Sequence, residues 1–175
     1  GIAPGYVCMD MTRLALRRRF DAVVIPYNTM NLLTEPDGVE RCLAGVRAHL
    51  HKGGRLLLQL FVPDAGHAAL ADKKQFQFRI FDCQDGSKVI KEILKWKEDN
   101  TPLFNLRETY RIRYRPDRRN EDWQYNYRIL AWSHERWQQR LQEAGFAITA
   151  SHGDYRFSPF VGGSHSTMLV AAKAV

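Results

Sequence analysis

Two nearly continuous apolar runs, one spanning 20–26 and one spanning 55–62, flank a segment of helical period. The first reads Phe20-Asp21-Ala22-Val23-Val24-Ile25 and the second Arg55-Leu56-Leu57-Leu58-Gln59-Leu60-Phe61. Runs of this kind suit strands buried on both faces, as in a parallel sheet covered by helices. Between them Val39, Cys42, Leu43, Val46 and Leu50 form one apolar stripe at helical spacing. Thr34 is the expected N-cap, with Glu35 and Asp37 in the first turn, where the helix dipole favours acids. Gly53-Gly54 is expected to end the helix and turn the chain into the next strand. A helix joining two strands in this way implies a right-handed parallel crossover. Tyr6-Val7-Cys8-Met9 is a further short apolar run, ending at Asp10.

From 75 to 132 the period changes to two. Phe76, Phe78 and Ile80 alternate with Gln77 and Arg79, and Ile90, Glu92, Leu94 and Trp96 with Lys91, Ile93 and Lys95. Tyr110, Ile112 and Tyr114 alternate with Arg111, Arg113 and Arg115, and Trp123, Tyr125, Tyr127 and Ile129 with Gln124, Asn126 and Arg128. Turn signals separate the runs at Asp85-Gly86, Asn100-Thr101-Pro102 and Arg115-Pro116-Asp117. The pattern predicts a three- or four-stranded antiparallel meander with one aromatic and one charged face. Arg111, Arg113 and Arg115 either keep that face solvated or contact an acidic substrate or phosphate.

From 133 to 175 the pattern returns to α/β. Ser133 caps a helix carrying Trp137, Leu141 and Ala144, which Gly145 ends. Strands follow at Phe146–Ala150 and Met168–Ala172, joined by a loop from Asp154 to Ser164 rich in Gly, Ser and Pro. Together they make an antiparallel edge on the sheet.

A chain of 175 residues, 45% hydrophobic and 26% charged, fits one globular domain. No apolar run approaches a membrane span, and no signal-peptide pattern opens the sequence. Cys8, Cys42 and Cys83 are widely spaced and lack Cys-x-x-Cys pairing, so a reducing cytoplasm is the expected location. The net charge of +7 suits either a solvated basic surface or a nucleic-acid partner. No zinc-finger spacing or RNA-recognition signature accompanies it. The six histidines show no metal-ligand spacing.

The order and spacing of several short pieces carry a resemblance. They are Met9-Asp10-Met11, Phe20-Asp21-Ala22-Val23-Val24 with Tyr27-Asn28-Thr29-Met30-Asn31, and Leu50-His51-Lys52-Gly53-Gly54-Arg55-Leu56. Glu143-Ala144-Gly145-Phe146 and Ser166-Thr167-Met168-Leu169-Val170-Ala171-Ala172-Lys173 complete them. Together they resemble the C-terminal two-thirds of a class I S-adenosylmethionine-dependent methyltransferase, over nearly the whole chain. The resemblance implies an α/β, Rossmann-like fold with sheet order 3-2-1-4-5-7-6. Tyr6–Met9 would be strand three, 21–26 strand four, 55–62 strand five, 146–152 strand six and 166–173 strand seven. Strands one and two, with the glycine-rich cofactor turn, have no counterpart here. Strand three would then have no neighbour, and strand four would expose an apolar edge. The expectation is a partial domain over 1–175 that begins partway through the fold. A homodimer or a missing N-terminal segment would cover that edge. The meander resembles the lid or dimerisation insertion of methyltransferases acting on amines, sugars or natural products.

The implied activity is methyl transfer from S-adenosylmethionine to a small-molecule N or O acceptor. Such chemistry depends mainly on alignment, so no Ser-His-Asp arrangement is expected. The resemblance places Asp10, Met11 and Pro26 at the cofactor, Asp10 through the adenine amine. It places Tyr27, Asn28 and Asn31 near the transferred methyl, at the carboxyl end of a strand where open α/β sheets bind ligands. Phe61, Asp64, Tyr155 and Arg156, with Phe157, are candidates for the acceptor pocket. No metal is implied. The loop departs from the Asp/Asn-Pro-Pro-Tyr order of nucleic-acid amino methyltransferases, which disfavours a base acceptor. Lacking the glycine-rich turn, these residues are expected to bind the cofactor weakly. The alternatives are a non-catalytic binding or dimerisation module and a nucleic-acid methyltransferase.

Overall fold

A computed structural model describes residues 4–68, 74–115 and 119–175. The chain forms two compact units, one built from 1–62 and 132–175, the other from 63–131.

In the first unit a four-stranded sheet carries β1 (Phe20–Ile25), β2 (Leu50–Phe61), β8 (Thr167–Ala174) and β7 (Phe146–His152), in the order β1-β2-β8-β7. β1 and β2 are parallel, and the other two pairings are antiparallel. Helix α1 (Gly38–Ala48) joins β1 to β2, and α3 (His134–Glu143) precedes β7. The expected stripe on α1 is buried at Val39, Cys42, Leu43 and Val46. Leu56, Leu58 and Leu60 of β2 are buried, as are their partners Ala172, Val170 and Met168 on β8. Each buried leucine stabilises the unit by roughly 1.5–3 kcal/mol. Trp137 and Leu141 of α3 and Phe146 of β7 are also fully buried. The side chain of Ser133 accepts the Arg136 amide and caps α3, and Gly145 leaves that helix at φ 80°.

Several expectations are corrected. The two apolar runs are not buried on both faces. Val24 is 60% exposed and Leu57 37%, and both lie on the face opposite the leucine core. The crossover connection supplies a helix for one face, and no described element covers Val24. Tyr6–Met9 is not a strand, because residues 4–10 have no regular structure and Tyr6 is 91% exposed. A strand needs a hydrogen-bonding neighbour, and none among the described residues pairs with this run.

α1 starts after Asp37, which adopts a left-handed conformation, and not after Thr34. Gly38 donates to the Glu35 carbonyl at 3.1 Å, so Thr34 to Asp37 is spent on a turn ahead of the helix. Gly53-Gly54 does not end the helix either. His49 does, through Nδ1 to the Gly45 carbonyl at 2.7 Å and Nε2 from the Leu16 amide at 3.0 Å. β2 then begins at Leu50, five residues early. From Phe20↔Leu50 to Ala22↔Arg55, β1 advances two residues and β2 five. Gly53 at φ 76° sits in that bulge, in a conformation few other residues accept.

In the second unit β3 (Gln75–Asp82), β4 (Lys88–Lys97), β5 (Leu103–Arg113) and β6 (Asn120–Leu130) form an antiparallel sheet in sequential order. A short helix, α2 (Ala65–Ala68), precedes it. Gly86 at φ 77° and Asn100 at φ 57° turn the first two hairpins. The turn expected at Arg115-Pro116-Asp117 falls partly outside the described residues, and the opening Gly1-Ile2-Ala3 lies wholly outside them.

The expected division into aromatic and charged faces fails on register. Phe76 opposes Leu94, Leu94 opposes Arg107 and Arg107 opposes Asn126, so these share a face. Trp123 opposes Tyr110 and Tyr110 opposes Lys91 on the other face. Each face is apolar over part of its width and charged over the rest. Two of the three arginines are paired. Arg111 holds Glu92 at 3.1 and 3.2 Å and Asp122 at 2.9 Å, and Arg113 holds Asp122 at 2.5 Å. Their charge is met by neighbouring strands, which removes the main support for a phosphate contact there.

Candidate functional site

β1 stops at Ile25, and the chain behind it is unusually bent. Tyr27 and Asn28 both adopt left-handed conformations, at φ 55° and 58°. Non-glycine residues rarely do this, and adjacent instances mark a site that its surroundings must hold. Thr29 provides one hold, its amide and hydroxyl donating to the Pro26 carbonyl at 3.2 and 2.6 Å. A 3-10 turn, Thr29–Leu32, follows. Gln59 of β2 provides a second hold, accepting the Tyr27 amide at 3.1 Å.

Gln59 also accepts the Tyr155 hydroxyl at 2.5 Å. One amide oxygen therefore ties the loop after β1 to the loop before β8. Pro26, Leu57, Gln59, His152, Tyr155 and Phe157 line a cavity of about 280 Å³ on this face of the sheet. The Tyr27 ring is 84% exposed. The carboxylate of Asp154 shapes the second loop by accepting the Arg156 and Ser158 amides at 2.8 and 3.1 Å. Those bonds, that from Ser158 first, hold its carboxyl below the usual range. His152 Nδ1 reaches the Phe157 carbonyl at 2.9 Å, fixing Phe157 beside the cavity.

The residues expected at the site separate into groups. Pro26, Tyr27 and Tyr155 come together around Gln59, and Asn28 follows Tyr27 in the same left-handed turn. Asn28 Oδ1 is buried and has no hydrogen-bond partner among the described residues. Asn31 is fully buried, and its amide is occupied by the Phe61 backbone: Nδ2 donates to the carbonyl at 2.9 Å and Oδ1 accepts the amide at 3.0 Å. Phe61 is itself buried, so it packs in the core. The Arg156 side chain is exposed.

Asp10 lies in the irregular N-terminal segment, where it accepts the amide and hydroxyl of Thr12, both at 2.8 Å. Those bonds, the backbone one first, lower its pKa. It is near α1, because its charge adds to the burial that pushes the Cys42 thiol up to about 11. Met11 beside it is half-buried. Asp64 belongs to the second unit, where it binds His67.

The sequence reading missed Gln59 and His152. Gln59 is the one polar side chain in the run Leu56 to Val62, a signal that was available. Among the described residues no three His, Cys, Asp or Glu side chains converge as a metal site requires. No helix there is long and apolar enough to cross a membrane.

No family model and no curated protein matches the sequence. Solved structures do match. An S-adenosylmethionine-dependent methyltransferase from Clostridium acetobutylicum is 16% identical with a TM-score of 0.79, over 99% of this chain and 65% of that one. The CcbJ methyltransferase from Streptomyces caelestis is 19% identical with a TM-score of 0.75, over 97% of this chain and 63% of that one. CalS10, an amino pentose methyltransferase from Micromonospora echinaspora solved with S-adenosylmethionine bound, is 16% identical with a TM-score of 0.69, over 95% and 63%. The chain thus spans just under two thirds of the length of these structures. Within that span its fold is that of the class I S-adenosylmethionine-dependent methyltransferases.

Proposed function

We propose that this chain supplies the acceptor side of an S-adenosylmethionine-dependent methyltransferase acting on a small-molecule amine or hydroxyl. The observation that carries the reading is the Gln59 bracket at the carboxyl ends of β1 and β2. Ligands of open α/β sheets bind at that end. The proteins of like fold include one named for an amino pentose and one named for glycopeptide N-methylation.

The donor set fits part of such a site. Asn28 Oδ1, buried without a partner, suits an N–H of cofactor or acceptor. Pro26 and the Tyr27 backbone would flank it, and Tyr27 and Tyr155 offer aromatic walls. S-adenosylmethionine, when bound, supplies the electrophilic methyl. The role of Tyr27, Asn28 and Gln59 is to orient the acceptor, and Asn31 positions the floor of the site through Phe61. The sequence contains no glycine-rich strand-to-helix turn to anchor the cofactor. These 175 residues therefore bind S-adenosylmethionine weakly by themselves.

The test is saturation-transfer NMR with amino sugars as probes. Transfer to an amino sugar that is lost in Gln59→Ala supports the reading. Absence of transfer from any amine or hydroxyl acceptor contradicts it.

A second reading is favoured by the free edge of β1. Among the described residues that strand pairs on one side only, and it exposes Val24. Exposed apolar edges recruit further strands. In this reading the edge is covered by additional strands or a second copy. Sedimentation that depends on concentration, and is reduced by Val24→Lys, supports a second copy. A monomer at all concentrations contradicts it.

A further inference from the structure

In the second unit three side chains form a hydrogen-bonded line that methyl transfer does not require. Asp64 Oδ1 accepts from the His67 amide at 2.9 Å and from its ring Nδ1 at 2.7 Å. On the far side of the ring, His67 Nε2 lies 2.6 Å from Lys95 Nζ. The contacts fix the tautomer. Asp64 is held ionised: burial would raise its pKa, but the bonds from the His67 backbone and ring outweigh it. A carboxylate only accepts, so Nδ1 carries the proton and the Nε2 lone pair faces the lysine.

The surroundings are partly dry. Phe104, itself buried, stands edge-on to the His67 ring with centroids 6.1 Å apart and lies 5.8 Å from Lys95 Nζ. Burial lowers the Lys95 pKa, opposed by the charge of Asp64. Among the described residues the other charged groups on this face of the sheet are Arg79, Lys91, Lys97, Glu108 and Glu121. Glu108 is engaged by Lys91, Tyr110 and Tyr127.

We propose that Lys95 is a reactive amine, activated by the Asp64–His67 pair, and that it takes an acyl or carbonyl electrophile. The arrangement follows the logic of an activated nucleophile: an attacking group, a base within reach and a carboxylate orienting the base. With an activated ester, the neutral form of Lys95, its ammonium proton already given to solvent, attacks the acyl carbon through the Nζ lone pair. The bond to the leaving oxygen breaks with its electron pair, and an amide forms. The proton lost from Nζ passes to His67 Nε2, and Asp64 stabilises the resulting imidazolium.

The experiment is acetylation of the intact chain with limiting N-hydroxysuccinimidyl acetate, followed by peptide mass spectrometry. Lys97, exposed on the same strand, is the internal reference. At neutral pH Lys95 is expected to acetylate about tenfold faster than Lys97, a modest share of what a positioned base supplies. His67→Gln should bring its rate down to that of Lys97, and Asp64→Asn should slow it. Lys95 acetylating no faster than Lys97 in the unsubstituted chain overturns the proposal, whether or not the variants fold. This outcome is independent of the methyltransferase reading, which rests on the first unit.

Discussion

The side-chain amide of Asn31 closes a two-bond ring on the backbone of Phe61, at 2.9 and 3.0 Å. Both groups are buried, so each bond replaces water that has no access. Asn31→Ala leaves the amide and carbonyl of Phe61 without this partner. The expected cost is about 1–3 kcal/mol, from the two lost bonds. Urea unfolding measures it, and a loss below ~1 kcal/mol would show that the ring is not holding the end of β2.

Gln59 is expected to act on order more than on stability. Its oxygen holds the Tyr27 amide and the Tyr155 hydroxyl. Gln59→Ala should accelerate hydrogen exchange at the Tyr27 amide by about fivefold, the equivalent of ~1 kcal/mol. Gln59→Glu keeps an acceptor in place and should preserve protection. Equal exchange in all three proteins would mean that the left-handed turn is held by other contacts.

Glu108 gives the second unit a dependence on acid. Burial would raise its pKa, but bonds from Lys91, Tyr110 and Tyr127 outweigh it and hold the carboxyl below the ordinary range. A depressed folded-state pKa means stability present above the unfolded value, about 4.3, and lost as pH falls through the folded one. The urea midpoint should therefore drop as pH is lowered through that window, and Glu108→Gln should flatten the drop. An unchanged profile in the variant would remove Glu108 as a source.

Much of the fold was legible because it depends on period. The stripe Val39, Cys42, Leu43 and Val46 marks α1, and alternation around Phe78, Ile90, Ile112 and Tyr125 marks the antiparallel strands. What period cannot supply is a partner. Tyr6–Met9 has strand composition and no described strand beside it. Val24 has core composition and no described layer over it. Facial segregation in the meander failed because alternation within a strand says nothing of register between strands: Phe76 and Trp123 fall on opposite faces. At the site, the bent loop at Tyr27 and Asn28 was legible from its place after a strand. The brackets at Gln59 and on Phe61 were not, because each links residues about thirty positions apart. The Asp64–His67–Lys95 line was hidden for the same reason.

On the proposed function, these 175 residues hold the acceptor side of a methyltransferase fold, and no glycine-rich strand-to-helix turn is among them. Calorimetric titration of the chain with S-adenosylmethionine tests it most directly. No saturable binding is expected in the micromolar range. One-to-one binding with a micromolar Kd, about −8 kcal/mol, would contradict it.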